Sequence, residues 1–119
     1  MLKKEDLDHF TGSETWYRHP LCRDVLYTDG VKHVAEKGGA YWLIDKIATL
    51  QALPLVRVQE FQTWKLFVND SRAKLTCDDG NGNIVHSEKI DYTDFPLDEI
   101  AMWVQFDGEN RTILLPSEY

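Results

Sequence analysis

Apolar and other side chains alternate with a period of two in the second half of the chain. Trp64, Leu66 and Val68 fall on one face of a strand and Lys65 and Phe67 on the other. "RAKLTC" repeats the pattern, with Ala73, Leu75 and Cys77 inward and Arg72, Lys74 and Thr76 outward. "EIAMWVQF" sets Ile100, Met102, Val104 and Phe106 against Ala101, Trp103 and Gln105. "DDGNGN" at 78–83 is dense in turn formers and predicts a hairpin into "IVHSEKIDY". A second turn, "DGEN", leads into a closing strand at "RTILLP". Such short connections predict antiparallel neighbours.

The first half carries the helical period instead. Val31, Val34 and Ala35 form one stripe, with Asp29 placed to cap its helix. Ala40, Leu43, Ile44, Ile47 and Leu50 form another, which Pro54 should end. Leu2, Leu7 and Phe10 predict a short N-terminal helix, and "TGSETWYRHPLCRDVLYTDG" reads as irregular or briefly helical, broken by Gly12 and Pro20. The echo "LYTDG" (26–30) and "DYTDF" (91–95) predicts Asp-built turns. Gly38 and Gly39 lie between two helical stretches rather than after a strand, so a joint between helices is favoured over a phosphate cradle. Gly38 is placed to take the left-handed conformation, and the rival geometry is one continuous helix. The expected fold is therefore α+β: one domain spanning 1–119, with N-terminal helices packed on one face of a four- to five-stranded antiparallel meander sheet.

Charge sharpens this picture. The chain of 119 residues carries a net −7, and residues 60–119, with twelve acids and five bases, account for all of it. Nine acids stand against Lys89 alone within 78–109. Such a half repels nucleic acid phosphates on average and attracts basic surfaces. No apolar run is long enough to span a bilayer, and the N-terminal lysines are not followed by the apolar stretch of a signal peptide. A cytoplasmic protein with no membrane association is expected. Cys22 and Cys77 lack metal or redox spacing and read as reduced, structural thiols.

Candidate chemistry is sparse. None of His9, His19, His33 and His86 lies in a recognised catalytic motif. Strand alternation turns His86 and Glu88 inward together, as an acid–base pair or as the mark of a β-bulge. "DDGNGN" lacks calcium-loop spacing, so neither metal nor cofactor is expected. Two surfaces remain. Phe67 and Trp103 can anchor a protein partner, rimmed by Asp78, Asp79, Asp91, Asp94, Asp98 and Glu99; acids held on a rigid sheet can occupy a basic, nucleic-acid-binding groove. Direct nucleic acid binding is not expected from this surface. Alternatively, the outward Lys65, Arg72, Lys74 and Lys89 beside aromatics, or a pocket at Gly38, Gly39 and Trp42, can take a small ligand or nucleotide. Free sheet edges leave a homodimer open.

Taken together, "HFTGSETWYRH" (9–19), "VLYTDGVKHVAEKGGAYWLIDKIA" (25–48), "FQTWKLFV" (61–68), "DGNGN" (79–83), "IDYTDFPL" (90–97) and "LLPSEY" (114–119) resemble an uncharacterised bacterial domain-of-unknown-function family. Its members are nearly all domain and are often carried by phages, plasmids and integrated elements. The resemblance covers essentially the whole chain and brings no catalytic residue with it. It implies an accessory role, such as countering host defence by stoichiometric inhibition in the manner of anti-CRISPR proteins.

Overall fold

A computed structural model describes residues 2–10 and 15–119. Along the described chain lie a 3₁₀ helix (Lys4–His9), β1 (Trp16–Arg18), β2 (Val25–Thr28), α1 (Asp29–Gly38), α2 (Tyr41–Leu50) and α3 (Pro54–Arg57). There follow β3 (Phe61–Asn69), β4 (Arg72–Asp78), β5 (Ile84–Ile90), β6 (Glu99–Phe106), β7 (Arg111–Leu114) and a C-terminal 3₁₀ helix (Pro116–Glu118). The α+β class holds. The sheet does not match a four- to five-stranded antiparallel meander: it has seven strands in the order β1-β2-β7-β6-β3-β4-β5.

Two physical reasons account for the difference. β1 and β2, of three and four residues, arise inside the stretch that reads as irregular, and they are too short to show a period. β2 then slots in parallel to β7, pairing Val25 with Arg111 and Tyr27 with Ile113. That parallel pair becomes possible because three helices intervene in sequence and supply the long crossover it requires. The meander also breaks after β5. The connection 91–98 passes the end of the β3–β4 hairpin and returns the chain beside β3, where Thr93 N–H donates to the Ser71 carbonyl and Val68 N–H to that of Asp98. Gly12, the expected breaker, lies outside the described residues.

The inward strand positions join the helical stripes in one core. Trp64, Leu66, Leu75, Met102 and Ile113 pack with Val31, Val34, Leu43, Ile44 and Ile47, all essentially buried. Each such side chain contributes about 1.5–3 kcal/mol relative to exposure. At one end of this core sits a polar pair without a periodic signal. Gln51 and Gln62 exchange amide hydrogen bonds at 2.8 and 2.9 Å, and the Trp64 indole donates to Gln62 at 2.8 Å.

The glycine joint is a break, shifted by one residue from expectation. Gly39, not Gly38, takes the left-handed conformation (φ 61°) that ends α1. Gly38 is the last helical residue, and a Cβ there would lie 2.9 Å from the Phe95 ring. The first glycine permits close packing and the second reverses the chain. α1 is capped by Thr28 rather than Asp29, its hydroxyl accepting the Val31 N–H. In the echoed segment Thr93 likewise accepts the Phe95 N–H. In both, a threonine oxygen does what was expected of aspartate; Asp29 instead accepts the Tyr17 hydroxyl at 2.8 Å, tying β1 to α1. Pro54 opens α3 instead of ending α2. The N-terminal helix is of 3₁₀ type. The tail is anchored by Glu118, whose carboxylate accepts from the Thr28 hydroxyl at 2.7 Å and from Gly30 N–H at 3.2 Å, an acid at the positive end of α1.

Candidate functional site

Strand register decides which outward side chains meet. Phe67 pairs with Lys74 on one side and Glu99 on the other, and Lys74 pairs in turn with Lys89. One row across the bare face therefore reads Glu99, Phe67, Lys74, Lys89. The next reads Ala101, Lys65, Thr76, Ser87. Arg72 closes the corner opposite Asn69. Lys65, Arg72, Lys74 and Lys89 thus share one corner of the face, around the exposed ring of Phe67. Among the described residues none of the four forms an ion pair. Directly opposed lysines on a sheet are unfavourable in isolation, so this corner is a concentrated positive field on an acidic chain.

Trp103 lies on the same face, further along β6. It sits in an edge-to-face cluster with Phe61 and Tyr119, with ring centroids 5.2–6.0 Å apart. Between the cluster and the basic corner a cleft of about 410 Å³ opens, lined by Leu7, Lys65, Phe67, Ala101, Leu115 and Pro116 among others. It exists because β7 flanks β6 only from Trp103 to Phe106. Beyond Trp103 the N-terminal 3₁₀ helix and the tail take the place of a strand, joined by the Ser117 hydroxyl donating to the Leu7 carbonyl at 2.9 Å.

The acidic residues divide into two groups at opposite ends of the sheet. Asp78 is buried, and its carboxylate accepts the Gly80 N–H at 2.7 Å. Asp79 accepts from Asn81 N–H, Asn83 N–H and the Asn83 amide. The Asn83 amide, followed by these backbone donors, holds the Asp79 carboxyl below the usual range. Both build the hairpin turn. Asp91, Asp94, Asp98 and Glu99 are exposed at the other end, bordering the basic corner. Gly38, Gly39 and Trp42 do not form a ligand cradle: Gly38 is filled in by Phe95 and Leu2, and a Cβ at Gly39 would meet nothing.

Two histidine–carboxylate pairs occupy the helix side. His86 Nε2 and Glu88 Oε1 lie 2.9 Å apart, turned inward as alternation predicts, and Lys46 reaches Glu88 Oε2 at 2.9 Å. The bulge expected of this strand is also present: Cys77 pairs with His86 and Asp78 with Ile84, so Val85 is an extra residue in β5, and Ile84 is left exposed. Burial raises the Glu88 pKa, but the bonds from His86 and Lys46 outweigh it and hold the carboxyl below its ordinary value. Cys77, opposite His86, is pushed up to about 12, first by burial and then by Asp78 and Asp79, which leaves it no thiolate to offer. The second pair gave no sequence signal. His19 is buried, its Nδ1 accepts the N–H groups of Leu21 and Cys22, and its Nε2 is 2.8 Å from Asp45. Two donors on Nδ1 place the proton on Nε2, so the ring braces the 19–22 turn against α2. Among the described residues no group of three or more His, Cys, Asp or Glu is arranged to hold a metal ion, and no helix is long and apolar enough to cross a membrane.

The Family of unknown function (DUF6876) matches residues 1–119. The chain belongs to the DUF6876 family. This agrees with the whole-chain resemblance to a family of unknown function. A solved structure, the protein of unknown function from Enterococcus faecalis, is similar to this DUF6876 chain in fold. Its TM-score is 0.57 at 22% identity, covering 88% of this chain and 98% of that one. A comparison with curated proteins finds no match. For this DUF6876 chain the function must therefore be argued from the surface itself.

Proposed function

We propose that the chain is a non-enzymatic binding module whose bare sheet face docks a protein partner. The observation that carries this is the union, on one face, of an apolar cleft with an ion-pair-free basic corner. An apolar anchor enters beside Phe67, Ala101 and Leu115, and acids flanking it meet Lys65, Arg72, Lys74 and Lys89. The aromatic cluster at Trp103 supplies rigid area next to it. Both histidine pairs are engaged in bracing the fold, in keeping with a binding role.

The setting proposed is that of a mobile-element accessory protein, acting in the cytoplasm as a stoichiometric inhibitor in the manner of anti-CRISPR proteins. A second form of this reading uses the exposed acids Asp91, Asp94, Asp98 and Glu99 against a basic nucleic-acid groove. Their exposure along the 91–98 connection and at the first residue of β6, free of turn-building duties such as those of Asp79, favours it.

The test is affinity capture from host lysate with three baits: the native chain, K65E/K74E, and D91N/D94N/D98N/E99Q. Loss of the captured protein with the first variant alone supports the basic corner, and loss with the second alone supports the groove inhibitor. Retention by both variants refutes the face assignment. A thermal-shift screen with nucleotides addresses the small-ligand reading, since saturation at a hundredfold excess over Kd raises stability by about 2.7 kcal/mol.

A further inference from the structure

β7 flanks only half of β6. It pairs with Trp103–Phe106, and among the described residues no strand lies beside Glu99–Met102 on that side, about 13 Å of β6. The reason lies in the tail. The next pair in this register would set Ala101 against Pro116, which has no N–H to donate. The chain turns instead into the C-terminal 3₁₀ helix. Glu118 holds that turn, accepting the Leu115 N–H at 2.9 Å while it reaches across to Thr28 and Gly30.

The gap leaves main chain bare. Successive residues of an antiparallel strand turn their N–H and C=O groups to alternate sides. On β6 the even-numbered residues serve β3: the Phe106 N–H donates to the Glu60 carbonyl, and the Asp98 carbonyl accepts the Val68 N–H. The odd-numbered residues serve the β7 side, and Ala101 is one of them, beyond the end of β7. Among the described residues no hydrogen bond reaches its N–H or its carbonyl. Both groups turn toward the cleft of about 410 Å³ that Glu99, Ala101, Lys65, Leu7 and Leu115 help to line. A donor and an acceptor on one residue, at the edge of an interrupted sheet, match the main chain of another strand.

We propose that this cleft takes a short extended segment of the protein partner, which fills the gap in the sheet by pairing with β6 at Ala101. The inference rests on the docking face proposed above and gives it a mode, with main-chain bonds supplying affinity and alternate side chains supplying selectivity. Charge sets that selectivity. The partner residue facing Ala101 stands on the bare face, in the row that runs on through Ala101 to Lys65. Its backbone lies two strand spacings, about 10 Å, from that of Lys65, a span that a glutamate and a lysine close together over the small alanine side chain. Lys65 is exposed and among the described residues has no ion pair of its own. The position facing Ala101 therefore suits an acid. The 3₁₀ helix and the tail wall the cleft, so a short segment fits where a long strand does not.

Selection from a displayed library of random short peptides, with the full native chain as bait, supplies the probe, and amide hydrogen exchange reads it. In the free protein the Ala101 amide exchanges fast, and a selected peptide slows it. The selected peptides share an acid at one fixed position, and a K65E bait selects a base there instead. N-methylation of the peptide residue facing Ala101 removes a bond and orphans its acceptor, so binding weakens about tenfold or more. N-methylation of either adjacent residue, whose N–H points away, is tolerated. Peptides that bind without slowing Ala101 exchange, or without that alternation, overturn strand addition and leave the docking face standing. A free chain whose Ala101 amide is already protected, by its own tail or by a second copy, overturns it too, as does a library that yields no binder. Should K65E fail to fold, the exchange and N-methyl series on the native chain decide the matter. Lysate capture with K65E/K74E judges the docking face separately, so the two readings can fail apart.

Discussion

Gln62→Leu is the substitution whose cost is best defined by the structure. Gln62 is fully buried at the start of β3 and holds a closed set of amide bonds. Leucine keeps much of the volume but takes away every polar atom. The Trp64 indole N–H then has no acceptor, and the Gln51 carbonyl oxygen loses its donor; Gln51 keeps only its bond to the Ile47 carbonyl. Each orphaned buried group costs about 1–3 kcal/mol. The total is about 2–6 kcal/mol, a large share of the roughly 5–15 kcal/mol by which a domain is stable. Gln51→Leu should cost less, because Gln62 still accepts from Trp64 and donates to the Val56 carbonyl. The double variant should lose less than the sum of the two, since neither amide is left without the other. Urea unfolding followed by far-ultraviolet circular dichroism measures all three, with the m-value as the check that the unfolded ensemble is unchanged. A Gln62→Leu loss below about 1 kcal/mol at constant m, or strict additivity in the double variant, would refute the reasoning, for it would mean the network is open to water.

Further outcomes follow from single contacts. Gly38→Ala drives a Cβ to 2.9 Å from the Phe95 ring and should cost about 1–3 kcal/mol by overpacking; Gly39→Ala meets no atom but strains a left-handed φ, at about 1–2 kcal/mol, and thermal unfolding measures both. The Asp79 pKa is lower folded than unfolded, so its stabilisation is present above about pH 4, near the unfolded carboxyl value, and is lost as pH falls through the folded one. Asp79→Ala should therefore flatten the acid limb of the stability profile. With its thiol pushed up to about 12, Cys77 should resist an aromatic disulfide reagent at pH 8 in the native protein, whereas the half-buried Cys22 reacts slowly; rapid reaction of both would show that the β4 side of the core opens readily.

Much of the fold is legible in residue order because burial imposes a period. Strands β3, β4, β5 and β6, the helices α1 and α2, and the break between the helices follow from alternation, helical stripes and the glycine pair. So does the common face of Lys65, Phe67, Arg72, Lys74, Lys89 and Trp103, since alternation alone sends them the same way. The inward meeting of His86 and Glu88 follows likewise. β1 and β2 leave no such mark. Strands of three and four residues complete no pattern, and their stability comes from neighbours far along the chain.

Tertiary structure alone decided the rest. Which of two adjacent glycines turns left-handed, Gly39, and which packs under Phe95, Gly38, shows only in the folded molecule. Whether an aspartate rims a surface or builds a turn depended on which N–H groups lay within reach, as Asp79 and Asp94 show. The buried Gln51–Gln62 pair, the His19 brace and the Glu118 tether join residues up to 90 positions apart, and no local pattern records such partners. Residue order thus determined which way each side chain of a regular strand or helix points. Only the packed molecule determined what it points at, because that depends on register and crossover, which are set by long-range pairing.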